Sequence, residues 1–257
     1  MNRRESEFVS RVNALIEESE LLHWIVRESE LQREACARLE NKVAEILEEK
    51  YHAVQKQDED YANCLLGCEC AARAVLAELH MWLLIKEEHP DDAWAELVNA
   101  ESLVLGAIRS HRGFSHLAPL MERLELIERV IFPQQAFVSA GLTVLKQICS
   151  ICGEEYGDCE HLAGMPYMGR FCSIVAGDLE PNHVAIVGRP ADKRCRVTHY
   201  ETEEGVRNRM TLKIEGPRSE DWTPDGGLRT RAIIMVADKT HSLSPNDSPR
   251  LQKSSEP

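Results

Sequence analysis

Residues able to hold or attack something are gathered between positions 149 and 161: Cys149, Cys152, Cys159 and His161, with Glu154, Glu155 and Glu160 among them. The spacing is C-x2-C-x6-C-x-H. Two residues between cysteines let a tight turn aim both thiolates at one ion, and Gly153, directly after, supplies the permissive backbone such a turn needs. Cys159 and His161 form a second pair across a short loop. Sulfur and nitrogen donors in this pattern suit tetrahedral Zn2+, and four protein donors close its sphere, whereas a catalytic zinc keeps one position open for water. The expectation is therefore one structural zinc held by Cys149, Cys152, Cys159 and His161, with the three glutamates as solvated loop charges. Cys172 is an alternative ligand in place of Cys159 or His161. A redox C-x2-C pair is the competing reading, but such pairs open a helix, which Gly153 and Gly157 oppose.

The other cysteines read as packing. Cys64 and Cys68, four apart, share a helix face; with Cys36, Cys70 and Cys195 they are expected in the core, where free cysteine is often found. Nine cysteines, an odd number, argue against a disulfide framework. The opening Met-Asn-Arg-Arg-Glu-Ser-Glu leads into no apolar run of signal length, and Met81 to Ile85 falls far short of the roughly 20 residues of a bilayer span. A cytoplasmic protein without membrane contact is expected.

The elements that must carry this site begin with helices. Residues 5–57 contain no Gly or Pro and read as one long helix or two nearly continuous ones. Their heptad seam is broken: Phe8, Leu15, Leu22, Cys36 and Val43 fall at a, and Ile25, Leu39, Ile46 and Ala53 at d, but Arg11, Glu18 and Gln32 also fall at d. Such a seam suits a helical hairpin or short coiled coil. Tyr61, Leu65, Cys68, Ala72, Val75, Leu79 and Trp82 follow helical steps without a miss. Pro90 starts a third helix with Trp94, Leu97, Val98, Leu105 and Ile108 on its apolar face. A fourth runs from about Leu117 to Phe132, with Leu120, Leu124, Ile127 and Ile131 inward. Short connections favour an antiparallel bundle.

After Pro133 the texture changes. Phe137-Val138, Leu142 to Gln147, His183 to Val187, Arg196 to Tyr200 and Met210 to Ile214 read as short strands, and Arg231 to Val236 as a late one. The fold expected is α+β: a helical bundle or coiled-coil hairpin (1–133), a zinc-stapled β module (134–215) and a tail (216–257) whose end, Ser242 to Pro257, is Ser- and Pro-rich and reads as disordered.

Beyond the cysteine segment stand His161-Leu-Ala-Gly164, Tyr167-Met-Gly169, Cys172, and His183-Val-Ala-Ile-Val187 running into Pro190-Ala191. This stretch, about 149–192, resembles bacterial and phage-encoded zinc-knuckle proteins, and its second half is similar to the last strand of phage prohead maturation protease-like proteins. That family acts through a histidine and a serine. Here His161 is a zinc ligand and the glycine-flanked serine pattern is missing around Ser173, so the resemblance implies β-module ancestry, not proteolysis. Glu160-His161 and Asn182-His183 also echo HNH-type nucleases, without the second C-x2-C pair. An enzyme derived from either fold is the alternative to a non-enzymatic interaction or scaffold protein.

GxSxG, HExxH, GxGxxG and Walker-type motifs are absent, as is the zinc-deaminase signature. A net charge of −13 opposes duplex nucleic acid as a partner; a protein partner, or self-association through the helices, is expected. Arg189, Lys193, Arg194 and Arg196 form the one basic cluster of the second half. They suit an acidic surface, including that of the chain's own helices, or a solvated loop.

Overall fold

The computed structural model describes residues 2–234. The fold is α+β, five helices followed by small antiparallel sheets. Among the described residues no helix is long and apolar enough to cross a membrane.

α1 (Arg3–Glu20) starts on a capping box, in which the Asn2 side chain accepts from the Glu5 N–H and Glu5 reaches back to the Asn2 N–H. α2 (Ser29–Gln55) follows a break at residues 21–28. No Gly or Pro causes that break. A single helix over 5–57 would extend about 80 Å, far beyond α3 (Glu59–Lys86). Folding back instead returns Phe8, Val12 and Ile16 to the common core. The carbonyls freed at the break find donors: Gln32 Nε2 donates to Leu22 O (2.8 Å) and Trp24 O (3.2 Å), and Lys86 Nζ donates to Arg27 O. Ile25, expected on the seam, lies exposed in this connection.

α3 is the central helix, buried on nearly every side from Tyr61 to Leu83. Its contacts with α2 run from Lys50–Glu69 at one end to Lys86–Gln32 at the other, so the two are antiparallel. α4 (Pro90–Ser110) packs along another side; Gly67 lets Phe114 and Ser110 come so close that a Cβ there would stand 2.2 Å from the Phe114 ring. α5 (Ala118–Ile131) closes the bundle through Leu120 and Leu124. Leu105 and Ile131 are exposed rather than inward; on α4 Trp94, Leu97 and Val98 are buried as expected, and Ala93, Ala100, Val104 and Ala107 complete the buried stripe. Inside the bundle Glu78 accepts from Arg123 (2.7 Å) and lies 3.0 Å from His23 Nδ1.

The residues expected as separate strands at 137–138 and 142–147 form one strand, β1 (Phe137–Cys149). It pairs with β4 (Ile174–Val187) from Phe137↔Val187 to Cys149↔Ile174. A bulge at Gly141/Leu142 absorbs the irregularity, with the His183 ring occupying the space a Gly141 side chain would need. Between these strands lie the two-residue β2 (Pro166–Tyr167) and β3 (Arg170–Phe171). β5 (Val197–Thr202), β6 (Gly205–Asn208), β7 (Ile214–Gly216) and β8 (Thr230–Ala232) form a second sheet in the order β7-β6-β5-β8. The segment Met210 to Ile214 is thus mostly a turn, and the late strand stops at Ala232; the expectation for its last residues and for Ser242 to Pro257 lies outside the described residues.

Part of the basic cluster faces the chain's own acidic helices. Lys193 Nζ bonds Glu101 (2.9 Å) and Glu128 (2.6 Å). Arg196, 2% exposed, pairs with Asp91 at the start of α4 and lies over the Trp94 ring. Trp94 Nε1 donates to Lys193 O at 3.0 Å. These contacts lock the entry to β5 to the bundle.

Candidate metal centre

Cys149 is the last residue of β1, and the chain turns immediately beyond it. Gly153 N–H donates to Cys149 O and Cys149 N–H to Glu154 O, both at 2.9 Å. Gly153 has φ +76°, a left-handed conformation that favours glycine. The turn leaves Cys149 buried and Cys152 exposed. A single 3-10 turn at Tyr156–Asp158 then delivers Cys159 and His161. Two tyrosine hydroxyls tie down the following loop: Tyr167 Oη accepts from Leu162 N–H and Tyr156 Oη from Ala163 N–H, each at 3.0 Å.

The structure brings Cys149, Cys152, Cys159 and His161 together: their donor atoms all lie within 4.8 Å of one another. Zinc with bonds of 2.0–2.3 Å sets its donors about 3.3–3.8 Å apart, so only a small contraction separates this arrangement from a metal sphere. Two further observations fit a cation. His161 Nδ1 is buried without a hydrogen-bond partner among the described residues, its ring held edge-on to Tyr167 at 4.7 Å. A buried nitrogen of this kind costs free energy unless something occupies its lone pair or takes its proton. Burial raises the Cys149 thiol, yet the Cys152 and Ile151 N–H groups aimed at its sulfur, with the Cys152 and Cys159 side chains, hold it down at about 6. The thiolate, the form that binds metal, is thereby favoured at Cys149.

The segment after the knuckle anchors the centre to the bundle. Gly169 N–H donates to Asn63 Oδ1 on α3 at 2.8 Å, and Met168 N–H to Glu59 Oε1 at 3.3 Å. Gly169, at φ +73°, is pressed so close that a Cβ would stand 3.0 Å from the Lys50 side chain and 3.3 Å from Ala62 O. Phe171 packs on the bundle core, facing α4 at Gly106. Neither Asn63 nor Glu59 carries any mark in the sequence of this docking role, since each reads as an ordinary polar position at the start of a helix.

The remaining candidates are scattered. Cys36, Cys64, Cys68, Cys70 and Cys195 are all buried away from the knuckle. Asn182 donates to Thr143 Oγ1 at 2.8 Å on the ribbon, and the Ser173 N–H is bonded to Ser150 Oγ. Cys172 does reach the centre, its sulfur 3.7 Å from that of Cys149.

No family model, curated protein or solved structure matches the chain. Fold and site together define an α+β protein with a Cys3His cluster able to hold a metal ion, docked on a five-helix bundle.

Proposed function

We propose that this chain is a zinc-binding interaction or scaffold protein in which the zinc is structural. The observation that carries the reading is the convergence of four donors from one 13-residue segment to within 4.8 Å. Four protein donors leave no coordination position for a substrate, which separates a structural from a catalytic zinc. The zinc would clamp the end of β1 to the loop carrying Cys159 and His161, which leads into the segment that docks on α3.

The partner in this reading is a protein, or a second copy, meeting the helices. What supports it is an apolar surface at one end of the bundle: Leu21, Trp24, Ile25 and Val26 are exposed in the α1–α2 connection. His23 in that connection bonds Arg123 of α5 at 2.8 Å, and α5 carries exposed apolar residues of its own, Leu126 and Val130. Exposed apolar groups in such concentration mark interaction sites. The net charge of −13 disfavours duplex nucleic acid.

Metal analysis of the purified chain tests the zinc: about one zinc per chain is expected, and none after gentle purification would overturn it. Light scattering coupled to size exclusion, comparing the wild type with Trp24→Asp, tests self-association. A wild-type dimer dissociated by the substitution supports a second copy as the partner, and a wild-type monomer excludes it.

A further inference from the structure

A tetrahedral zinc takes four donors; four lie within 4.8 Å of one another here, and a fifth stands beside them against Cys149. The fifth is Cys172, beyond the end of β3, 2% exposed. Its sulfur is 3.7 Å from that of Cys149, close to the roughly 3.8 Å edge of a tetrahedron with zinc–sulfur bonds of 2.3 Å. The two cysteines are placed by the same backbone frame. Ser150 N–H donates to Ser173 O at 3.0 Å, and Ser173 N–H to Ser150 Oγ at 2.8 Å. Cys172 is held on both sides of its own peptide as well, its N–H donating to Met165 O (2.9 Å) and its carbonyl accepting from Gly164 N–H (2.8 Å). Cys149 and Cys172 thus form the buried wall of the centre, and Cys152 the solvent side.

His161 reaches the same volume from an irregular loop rather than from a strand end. Its buried Nδ1 has no hydrogen-bond partner among the described residues, so it too stands ready to close the sphere. Two donors therefore compete for one position. A thiolate is the softer ligand and suits zinc at least as well as imidazole. Cys172 is already fixed by the hydrogen bonds of its own peptide and its neighbour's, so it loses less freedom on binding.

Granted that the centre holds zinc, we propose that Cys149, Cys152 and Cys159 are its permanent ligands, that Cys172 supplies the fourth, and that His161 takes the fourth position when Cys172 is lost. The centre is a four-sulfur site with a histidine in reserve. Loss of the Cys172 thiol would then leave the metal in place.

The experiment is cobalt(II) substitution in the full chain, read by visible absorption and competitive titration, for the wild type, His161→Ala, Cys172→Ser and the double variant. The wild type and His161→Ala are expected to share one four-sulfur spectrum. Cys172→Ser is expected to retain one cobalt with a shifted, three-sulfur-one-nitrogen spectrum and an affinity reduced about tenfold; the double variant should lose on the order of a hundredfold or more. The proposal is overturned if the Cys172→Ser spectrum equals that of the wild type, or if Cys172→Ser releases cobalt as completely as the double variant. The His161→Ala arm decides the matter even should Cys172→Ser fail to fold, because a loss of the four-sulfur spectrum there overturns it. A wild type that takes up neither cobalt nor zinc would overturn the metal reading itself, an outcome distinct from a ligand exchange seen on a loaded centre.

Discussion

Removing one permanent ligand, and the metal with it, should release the knuckle while leaving the bundle standing. Take Cys152→Ser, the exposed solvent-side ligand, stripped of metal so that the reserve donor His161 cannot refill the sphere; its loss leaves no cavity in the core. Within 149–173 only Cys149, Gly169 and Cys172 are buried, so the segment has almost no apolar core of its own. Its attachments to the helices are the half-buried Phe171 and the hydrogen bonds to Asn63 and Glu59. Burying one aromatic side chain contributes about 1.5–3 kcal/mol and each hydrogen bond about 1 kcal/mol net, roughly 5 kcal/mol together. A structural zinc contributes on the order of 10 kcal/mol to the folding of a small module. The metal therefore outweighs the attachments, which cannot order about 25 residues by themselves. The β5–β8 sheet, in contrast, is held by Arg196, Lys193 and Trp94 against α4 and α5, so it should remain. Hydrogen exchange read by mass spectrometry should show protection lost over 149–173, extending into the adjoining ends of β1 and β4. Protection in α2–α4 and in β5–β6, and the helical circular dichroism signal, should be unchanged. Full protection over 149–173 in metal-free Cys152→Ser would refute zinc as the main source of order in the segment.

Three further outcomes concern the bundle and its junction. Glu78, 1% exposed, faces Arg123 and His23; Glu78→Ala strands both, and should cost about 3 kcal/mol and lower the melting temperature by roughly 6–12 °C, a loss below about 1 kcal/mol refuting the pairing. Gly67→Ala drives a Cβ to 2.2 Å from the Phe114 ring and 2.5 Å from Ser110 Oγ, so urea denaturation should show a loss of about 1–3 kcal/mol despite the better helix propensity of alanine; an unchanged or raised midpoint would show that the ring gives way. Burial pushes Glu101 up to about 7 although Lys193 opposes the shift. The folded state therefore binds a proton more readily than the unfolded chain, and stability that is complete below the ordinary carboxylate pKa is lost as pH rises from about 4.5 through 7. Between about pH 5 and 8 the fall should be on the order of 1–2 kcal/mol, and Glu101→Gln should flatten it; an unchanged pH profile in Glu101→Gln would refute the assignment.

What the sequence determined by itself was local. The C-x2-C turn with Gly153, and the pair Cys159 and His161 across a short loop, are specified by spacings of a few residues, because backbone geometry confines such neighbours to a small volume. The unbroken helical pattern of α3 was readable for the same reason, since one helix that packs on all sides repeats its apolar positions without a gap. The tertiary structure decided whatever depended on distant partners. Residues 5–57 contain no breaker, and the helix parts at 21–28 because Gln32 and Lys86 satisfy its open carbonyls while α1 folds back on the core. The stretch 137–149 reads as two pieces until β4 pairs along its whole length and a bulge at Gly141 takes up the slack. Arg196 looks like a solvated loop charge until Asp91 and Trp94, about a hundred residues earlier, enclose it. Cys172 meets Cys149 only because strand pairing sets Ser150 beside Ser173. Spacing along the chain constrains short-range turns, whereas contacts across tens of residues are chosen by which packing buries the most apolar surface with its polar groups paired.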